Sequence, residues 1–194
     1  MMEDLPNKIT AEEIRKYPLF LFGGKVAIVQ SLEDAHQAIA RLLECPVLGF
    51  DTETKPVFRK GRSNPTSLIQ LAGVKDVYLF QLNKIHTIEP LLPLFENAKI
   101  IKTGIGIADD IKALQKLHPF EPQGFVDSAS LSSSLGVINT GLRPLVALFL
   151  KKRISKGAQT SNWAANQLRE NQIRYAATDA WVSRELYCKL QTLV

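Results

Sequence analysis

Two carboxylates one residue apart, Asp51 and Glu53, end the apolar run Val47-Leu48-Gly49-Phe50, and a third, Asp179, follows Tyr175 by one helical turn near the C-terminus. Acids in such settings point to cation chemistry. A carboxylate drawn out of water is costly unless it is paired. A hard divalent ion, commonly one that works on phosphate esters, is the usual partner for several such oxygens.

Spacing gives these residues directions. On a strand, side chains two apart share a face, so Asp51 and Glu53 project together and Thr52 points away. Taken alone, an Asp-x-Glu pair reads more readily as the solvated end of an edge strand. On a helix, Tyr175 and Asp179 stack on one face with Val182 and Leu186 continuing the line, so that Asp179 interrupts an apolar stripe. The plainer alternative is a surface acid below a core tyrosine. A fourth acid comes from the segment Lys102-Thr103-Gly104-Ile105-Gly106-Ile107-Ala108-Asp109-Asp110, where a glycine turn opens a helix. Asp110 shares its face with Leu114 and Leu117 and is expected inward, whereas Asp109 faces Lys112 and Lys116 and is expected in water. The Gly-x-Gly lacks the third glycine of a dinucleotide-binding loop.

The elements that must carry these residues can be read from periodicity. Thr10 and Glu13 predict a capping box for a short helix ended by Pro18 and Gly23-Gly24. Val26–Val29 predicts a strand. Ser31 and Asp34 start a helix with Ala35, Ile39, Leu42 and Leu43 at helical spacing, closed by Pro46. Strands are predicted over 47–53, 67–72 and 76–80, the last two as a hairpin. A helix around Ile88–Glu96, a strand over Lys99–Lys102, a helix over Ile107–Leu117 and a strand or turn ending at Asp127 follow, after which helices dominate. An early antiparallel run with later alternation of helices and strands indicates an α/β or α+β sheet covered on its faces.

Two basic stretches lie beside the suspected acids. Lys55, Arg59, Lys60 and Arg62 fill the loop after Glu53, where Phe58 could stack on a base; a solvated loop has the same composition. Lys151, Lys152, Arg153 and Lys156 form a phosphate track or a soluble helix end, with a nuclear address the weaker reading. His36, His86 and His118 have neither metal nor triad spacing.

Bulk composition sets the frame. With 194 residues, 45% of them hydrophobic, the chain suffices for one well-buried domain. The net charge of +5 suits a polyanionic partner and equally an ordinary basic protein. Cys45 and Cys188 form no Cys-x-x-Cys pair, so a reducing compartment is expected. The acidic start Met1-Met2-Glu3-Asp4 is unlike a secretory signal, and no apolar run approaches a membrane span. These features predict a soluble, cytoplasmic protein without a membrane partner, with a nuclear location open in a eukaryote. Residues 1–24 are expected to be a lead-in packed on a single domain of residues 25–194.

Together the three segments resemble the three exonuclease motifs of the DEDD superfamily in its tyrosine-bearing branch, and the ribonuclease D and Werner-exonuclease-like families in particular. Asp51 and Glu53 match the first motif, Asp110 in Gly-x-Gly-x-x-x-Asp-x-x-x-Leu the second, and Tyr175 with Asp179 the third. Similarity extends to Pro65-Thr66-Ser67-Leu68-Ile69-Gln70-Leu71, to Ser161-Asn162-Trp163 and to Arg143, covering roughly residues 26–191. Trp163 reads as a packing residue.

The resemblance implies an α/β, ribonuclease H-like fold with a mixed five-stranded sheet flanked by helices. It implies hydrolysis from the 3′ end, releasing nucleoside 5′-monophosphates with two divalent cations, Mg2+ or Mn2+. Asp51, Glu53 and Asp179 would hold the ion that activates water. Asp51 and Asp110 would hold the one at the leaving oxygen, and Tyr175 would orient the attacking water. Thr52, Lys55, Phe58, Arg59, Lys60, Arg62 and Arg143 are the candidate nucleic-acid contacts, on single strands or recessed 3′ ends. The choice between DNA and RNA is open, and a helicase or nucleic-acid-binding protein is a possible partner. The competing reading is a catalytically inactive nucleic-acid-binding module on the same fold. It requires a replaced carboxylate, and none is replaced.

Overall fold

The computed structural model describes residues 7–57, 61 and 63–193. Six strands form one mixed sheet: β1 (Lys25–Val29), β2 (Val47–Thr54), β3 (Thr66–Ala72), β4 (Asp76–Gln81), β5 (Ile101–Gly104) and β6 (Phe125–Asp127). Their order is β1-β4-β3-β2-β5-β6. β2, β3 and β4 pair antiparallel, while β1 on β4, β5 on β2 and β6 on β5 pair parallel. The α/β class and ribonuclease H-like fold hold, with one strand more than the resemblance implies.

Alternation along β2 separates two layers. Leu48 and Phe50 face a core built with Ile69, Leu71 and Phe80 under the helix α2 (Leu32–Leu42), with Ala35, Ala38, Ile39 and Leu42 pointing inward. Gly49, Asp51 and Glu53 alternate with them and so face the other way. That second face is covered by the long helix at the chain's end, Glu170–Gln191, whose Ala176, Ala177 and Ala180 pack with Leu68, Ala72 and Leu79. The contact is close. A Cβ placed on Gly49 would stand 1.8 Å from the Ala180 carbonyl oxygen, so only glycine admits the helix backbone there.

Between β4 and β5 lie the one-turn α3 (Leu82–Ile85), a 3-10 turn over Glu89–Leu91 and the one-turn α4 (Leu92–Phe95). The expected continuous helix over 88–96 is therefore broken. Pro90 and Pro93 each sit at the start of a short element, where their missing N–H is harmless, and neither can continue a preceding helix. β5 also lies two residues beyond the expected 99–102, because Val47 pairs with Ile101 and fixes the register from β2. The remaining helices are α1 (Ala11–Lys16), α5 (Ala108–Leu117), α6 (Ser128–Ser134), α7 (Leu142–Leu150) and the long Glu170–Gln191 helix, α8. Leu43, expected on the inner face of α2, is an exposed C-cap.

The capping box of α1 forms as read: Glu13 N donates to Thr10 Oγ1 at 3.2 Å and Thr10 N to Glu13 Oε2 at 2.8 Å. The chain then leaves the helix before Pro18. Phe20 N donates to the Arg153 carbonyl at 2.8 Å, and Arg153 N donates to that of Pro18 at 3.0 Å. Phe22 N donates to Thr178 Oγ1 on α8 at 3.0 Å, and Phe20 stacks on Trp181 with ring centres 5.2 Å apart. No helix among the described residues is long and apolar enough to cross a membrane, and Cys45 and Cys188 are both free thiols.

One buried cation sits in this framework. Lys102 on β5 is 0% exposed, and its Nζ donates to the carbonyls of Asn97 and Ile100, each at 2.8 Å, above the Phe125 ring. Burial pulls its pKa from 10.5 down to about 8. Between those values the unfolded chain binds more protons than the folded one, so this residue's contribution to stability rises as pH climbs through the window. Urea unfolding at pH 7.5 and pH 10 is expected to show a rise on the order of 1–3 kcal/mol in the wild type relative to Lys102→Met. An equal pH response in the two proteins would contradict this account.

Candidate active site

β2 delivers Asp51 and Glu53 to the end of the sheet, immediately before a register irregularity between Glu53 and Thr54 where the ladder to β3 loosens. α8 crosses the same face, and the helical period sets Tyr175 and Asp179 one turn apart over them. Asp51, Thr52, Glu53, Tyr175 and Asp179 line one cleft of about 480 Å3, together with Arg143, Ser155, Lys156, Gln159 and Ser183. Ile14 of α1, Ile105, Leu142 and Ile154 supply its apolar walls.

Asp110 enters from a different direction. It stands in the first turn of α5, directly after the Gly104–Gly106 turn. Its Oδ1 accepts a short hydrogen bond from the Thr52 hydroxyl, on the side of β2 opposite to Asp51 and Glu53. The expected phase holds for the two acids, since Asp109 is exposed and pairs with Lys112 while Asp110 is half-buried, but Leu117, read on the face of Asp110, is exposed. The turn before it is held tightly. A Cβ on Gly104 would stand 2.4 Å from the Phe50 carbonyl oxygen, and Gly106 N donates to Asp127 Oδ1 at 3.0 Å. Asp127 also caps α6 through Ala129 N at 2.9 Å. An acid at the end of β6 thereby fixes the loop that presents Asp110. The signal in the sequence is an Asp followed by a serine-rich helix, an N-cap pattern.

The acids are electrostatically opposed. Burial, then the charges of Asp179 and Asp110, push Asp51 well above the usual carboxylate range. Burial, then Asp51, Asp179 and Asp110, raise Glu53 from 4.5 to about 9. Burial raises Asp179 to about 7 against the opposing pull of Tyr175 and Arg143, and raises Asp110 against the opposing pull of Thr52. The Tyr175 phenol is pushed far up by burial, Asp179 and Glu53, so its proton stays on the oxygen across the neutral range. Asp51 Oδ1 accepts from Thr52 N at 2.9 Å, whereas Asp179 Oδ1 is buried and meets no hydrogen-bond partner among the described residues.

Such a set of all-oxygen donors, sharing negative charge and including one orphaned buried oxygen, fits a hard divalent cation. Among the described residues, no group of three or more His, Cys, Asp or Glu side chains is arranged so as to hold a metal ion. The fit therefore rests on the chemistry of the donors and on the Asp179 oxygen.

Supporting residues explain the flanking motifs. Trp163 is fully buried, donates from Nε1 to the Gln159 carbonyl at 3.3 Å and packs its ring beside Tyr175, with centres 6.0 Å apart. Gln172 Nε2 donates to Ser161 Oγ at 3.0 Å and to the Asn162 carbonyl at 3.2 Å, tying that segment to the first turn of α8. Arg143 Nε donates to the Ile154 carbonyl at 3.2 Å at the cleft wall.

The second basic run divides. Lys152 lies over Phe20 and Trp181, Lys151 over Tyr17, and Arg153 Nε donates to the Tyr17 carbonyl. Of the four, Lys156 lines the cleft. The α8 line through Tyr175 and Asp179 continues at Ser183, not at Val182 and Leu186 as expected. Val182 packs with Val146 and Ile154, and Leu186 with Leu145 and Phe149. Ser155, Gln159 and Ser183 had no signal in the sequence beyond polarity. Lys55 is exposed just past β2, and Phe58, Arg59, Lys60 and Arg62 lie outside the described residues.

The chain matches the 3′–5′ exonuclease domain family over residues 26–194. It is 30% identical to the exonuclease mut-7 homolog of Aedes aegypti, across 95% of this chain and 28% of that protein. It is 33% identical to the bifunctional 3′–5′ exonuclease/ATP-dependent helicase WRN of Mus musculus, across 79% of this chain and 11% of that one. The chain thus spans well under two thirds of the length of these curated relatives. The crystal structure of the Aedes aegypti Nibbler EXO domain superposes with a TM-score of 0.81 at 28% identity, covering 91% of this chain and 92% of that one.

The raised carboxylates predict a stability cost. Because folding lifts Glu53 from 4.5 to about 9, the unfolded chain loses that proton first, and stability falls as pH rises between the two values. With divalent ions chelated at pH 8, Glu53→Gln is expected to melt about 2–8 °C higher than wild type, the gap closing toward pH 4.5. A variant that melts at or below wild type at pH 8 would contradict the electrostatic account of the cleft.

Proposed function

This chain belongs to the 3′–5′ exonuclease family, and from that membership we propose that it is a divalent-metal-dependent exonuclease that hydrolyses the 3′-terminal phosphodiester of DNA or RNA and releases nucleoside 5′-monophosphates. The observation that carries the finer reading is the convergence of Asp51, Glu53, Tyr175 and Asp179 on one cleft, with Asp110 tethered to the same strand through Thr52.

Asp51, Glu53 and Asp179 would hold one Mg2+ or Mn2+ ion, and Asp51 with Asp110 a second. Bound there, two such ions would supply the activated water and would neutralise charge at the phosphate and the leaving 3′ oxygen. The chain's own groups do the rest. Tyr175 keeps its proton and so acts as a hydrogen-bond donor that orients the water, not as the base that deprotonates it. Trp163 beside it restricts the ring. Arg143 and Lys156 offer positive charge on the cleft wall, where a strand's phosphates would lie, and Lys55 is exposed just past β2.

Thr52 has its hydroxyl engaged with Asp110, which favours a role in holding that acid over direct contact with substrate. Residues 25–194 would constitute the nuclease unit. The strap through Phe20 and Phe22 supports treating the preceding segment as part of the same body. The name of the mouse relative joins an exonuclease to a helicase. A helicase or nucleic-acid-binding protein is accordingly the class of partner proposed for opening duplex substrates.

The test is incubation of purified protein with Mg2+ or Mn2+ and 5′-labelled single-stranded DNA, single-stranded RNA and recessed duplexes. A ladder shortening from the 3′ end is expected. Cutting of a circular strand would indicate an endonuclease, and retention of substrate without cleavage an inactive binding module. Asp51→Ala and Asp179→Ala are expected to abolish cleavage, and residual metal-dependent activity in either would remove that residue from the mechanism. Tyr175→Phe is expected to lower single-turnover rates roughly 10²–10⁴-fold while metal titration is little changed.

A further inference from the structure

Gln70 is a buried polar residue that the packing of the core does not explain. It lies in the middle of β3, is 0% exposed, and neither its Oε1 nor its Nε2 meets a hydrogen-bond partner among the described residues. An amide stripped of water without a partner is costly, and a leucine or methionine would fill the same space without that cost. The surroundings are otherwise apolar. Along β3, Leu68 and Ala72 share its face; across one ladder stands Leu79, and above lie Ala176, Ala177 and Ala180 of α8.

The exception lies across the other ladder, where the residue directly opposite Gln70 is Asp51. Directly opposed residues of an antiparallel pair project to the same face with Cβ atoms about 4.5–5.5 Å apart, within reach of a glutamine side chain. Asp51 needs such a donor. Its Oδ1 accepts from Thr52 N at 2.9 Å, and the same carboxyl faces the repelling charges of Asp179 and Asp110.

We propose that Gln70 is a positioning residue for Asp51: its amide, which has no partner among the described residues, is placed by the β2–β3 register to turn its Nε2 onto the Asp51 carboxylate and so set the angle at which that acid faces the cleft. The pairing depends on the sheet register alone, whereas its consequence for metal binding rests on the exonuclease reading. Partners that orient a metal-ligating carboxylate typically change affinity or activity 10–100-fold when removed.

Two measurements on the intact chain separate these levels. First, urea unfolding without divalent ions is compared for wild type, Gln70→Met, Asp51→Ala and the double variant. The effects of the two substitutions are expected to be non-additive, and additivity would overturn the pairing. Second, Mn2+ binding is measured by calorimetry in wild type and Gln70→Met, alongside circular dichroism to show that the variant is folded. Affinity is expected to drop about tenfold or more with the fold intact, and wild-type affinity in the variant would overturn the positioning role.

Should Gln70→Met not fold, Gln70→Glu takes its place in both measurements, since it keeps the shape and replaces the donor by an acceptor. If wild type itself binds no Mn2+, the metal-dependent reading fails, and the unfolding cycle alone decides whether Gln70 pairs with Asp51.

Discussion

The position of every group in the cleft depends on how closely α8 lies against β2. At Gly49 no side chain separates helix from strand, and a Cβ there would stand 1.8 Å from the Ala180 carbonyl oxygen. The helix meets the sheet with Ala176, Ala177 and Ala180, so small residues line both sides of the contact. One period of alternation carries the strand from Gly49 to Asp51 and a second to Glu53. One helical turn carries α8 from Tyr175 to Asp179 and another to Ser183. The two periodicities, anchored at a single point of backbone contact, bring the carboxylates of distant segments onto one cleft. A larger residue at that point would lift the helix and separate the acids before it affected any of them directly.

Closeness creates the electrostatic burden that the remaining structure must offset. Asp51, Glu53, Asp110 and Asp179 all have pKa values raised chiefly by burial, and for Asp51 and Glu53 the neighbouring acids add to it. Local relief is small: a backbone N–H and one hydroxyl from Thr52, the Arg143 charge, and the Tyr175 phenol. The burden is tolerated because the opposite face of the sheet carries a continuous apolar core in which Leu48, Phe50, Ile69, Leu71 and Phe80 are all fully buried. Thr52 joins the two arrangements. It stands on the core-facing side of β2, yet its hydroxyl holds Asp110, so the acid arriving from α5 is bound to the strand that carries the others. The acids lower stability where they meet, as ionisable groups crowded together out of water do.

How much of this was legible in the sequence follows from the range of the interactions involved. Asp51 and Glu53, Tyr175 and Asp179, the inward Asp110 and the outward Asp109 are consequences of strand and helix period, which a linear reading captures. The α1 capping box and the β3–β4 hairpin are equally local. Misreadings occur where a distant segment decides. β5 takes its register from Val47, not from its own apolar residues, and so begins at Ile101. The helix expected over 88–96 is the exception, misread against a local signal, since Pro90 and Pro93 divide it into single turns. Ser183 replaced Val182 and Leu186 on the cleft side because α7 packs against α8 and takes those two residues into its own contacts. Gln70 was legible only as a member of the matching segment Pro65–Leu71, since its place opposite Asp51 follows from the β2–β3 register.

The basic run at 151–156 shows why net charge is a weaker guide than placement. A chain of +5 with clustered lysines invites the picture of a phosphate-binding stripe. Here Lys152 spends its charge over the rings of Phe20 and Trp181, Lys151 lies over Tyr17, and Arg153 exchanges backbone and side-chain hydrogen bonds with the strap at Tyr17–Phe20. These cations hold the N-terminal segment down on α8, and the same strap donates to Thr178, the residue before Asp179. Lys156, a few residues on, is released from that duty and reaches the cleft. The run therefore contributes to the site in two physically different ways. Most of it braces the helix that carries Tyr175 and Asp179, and one lysine places a positive charge on the cleft.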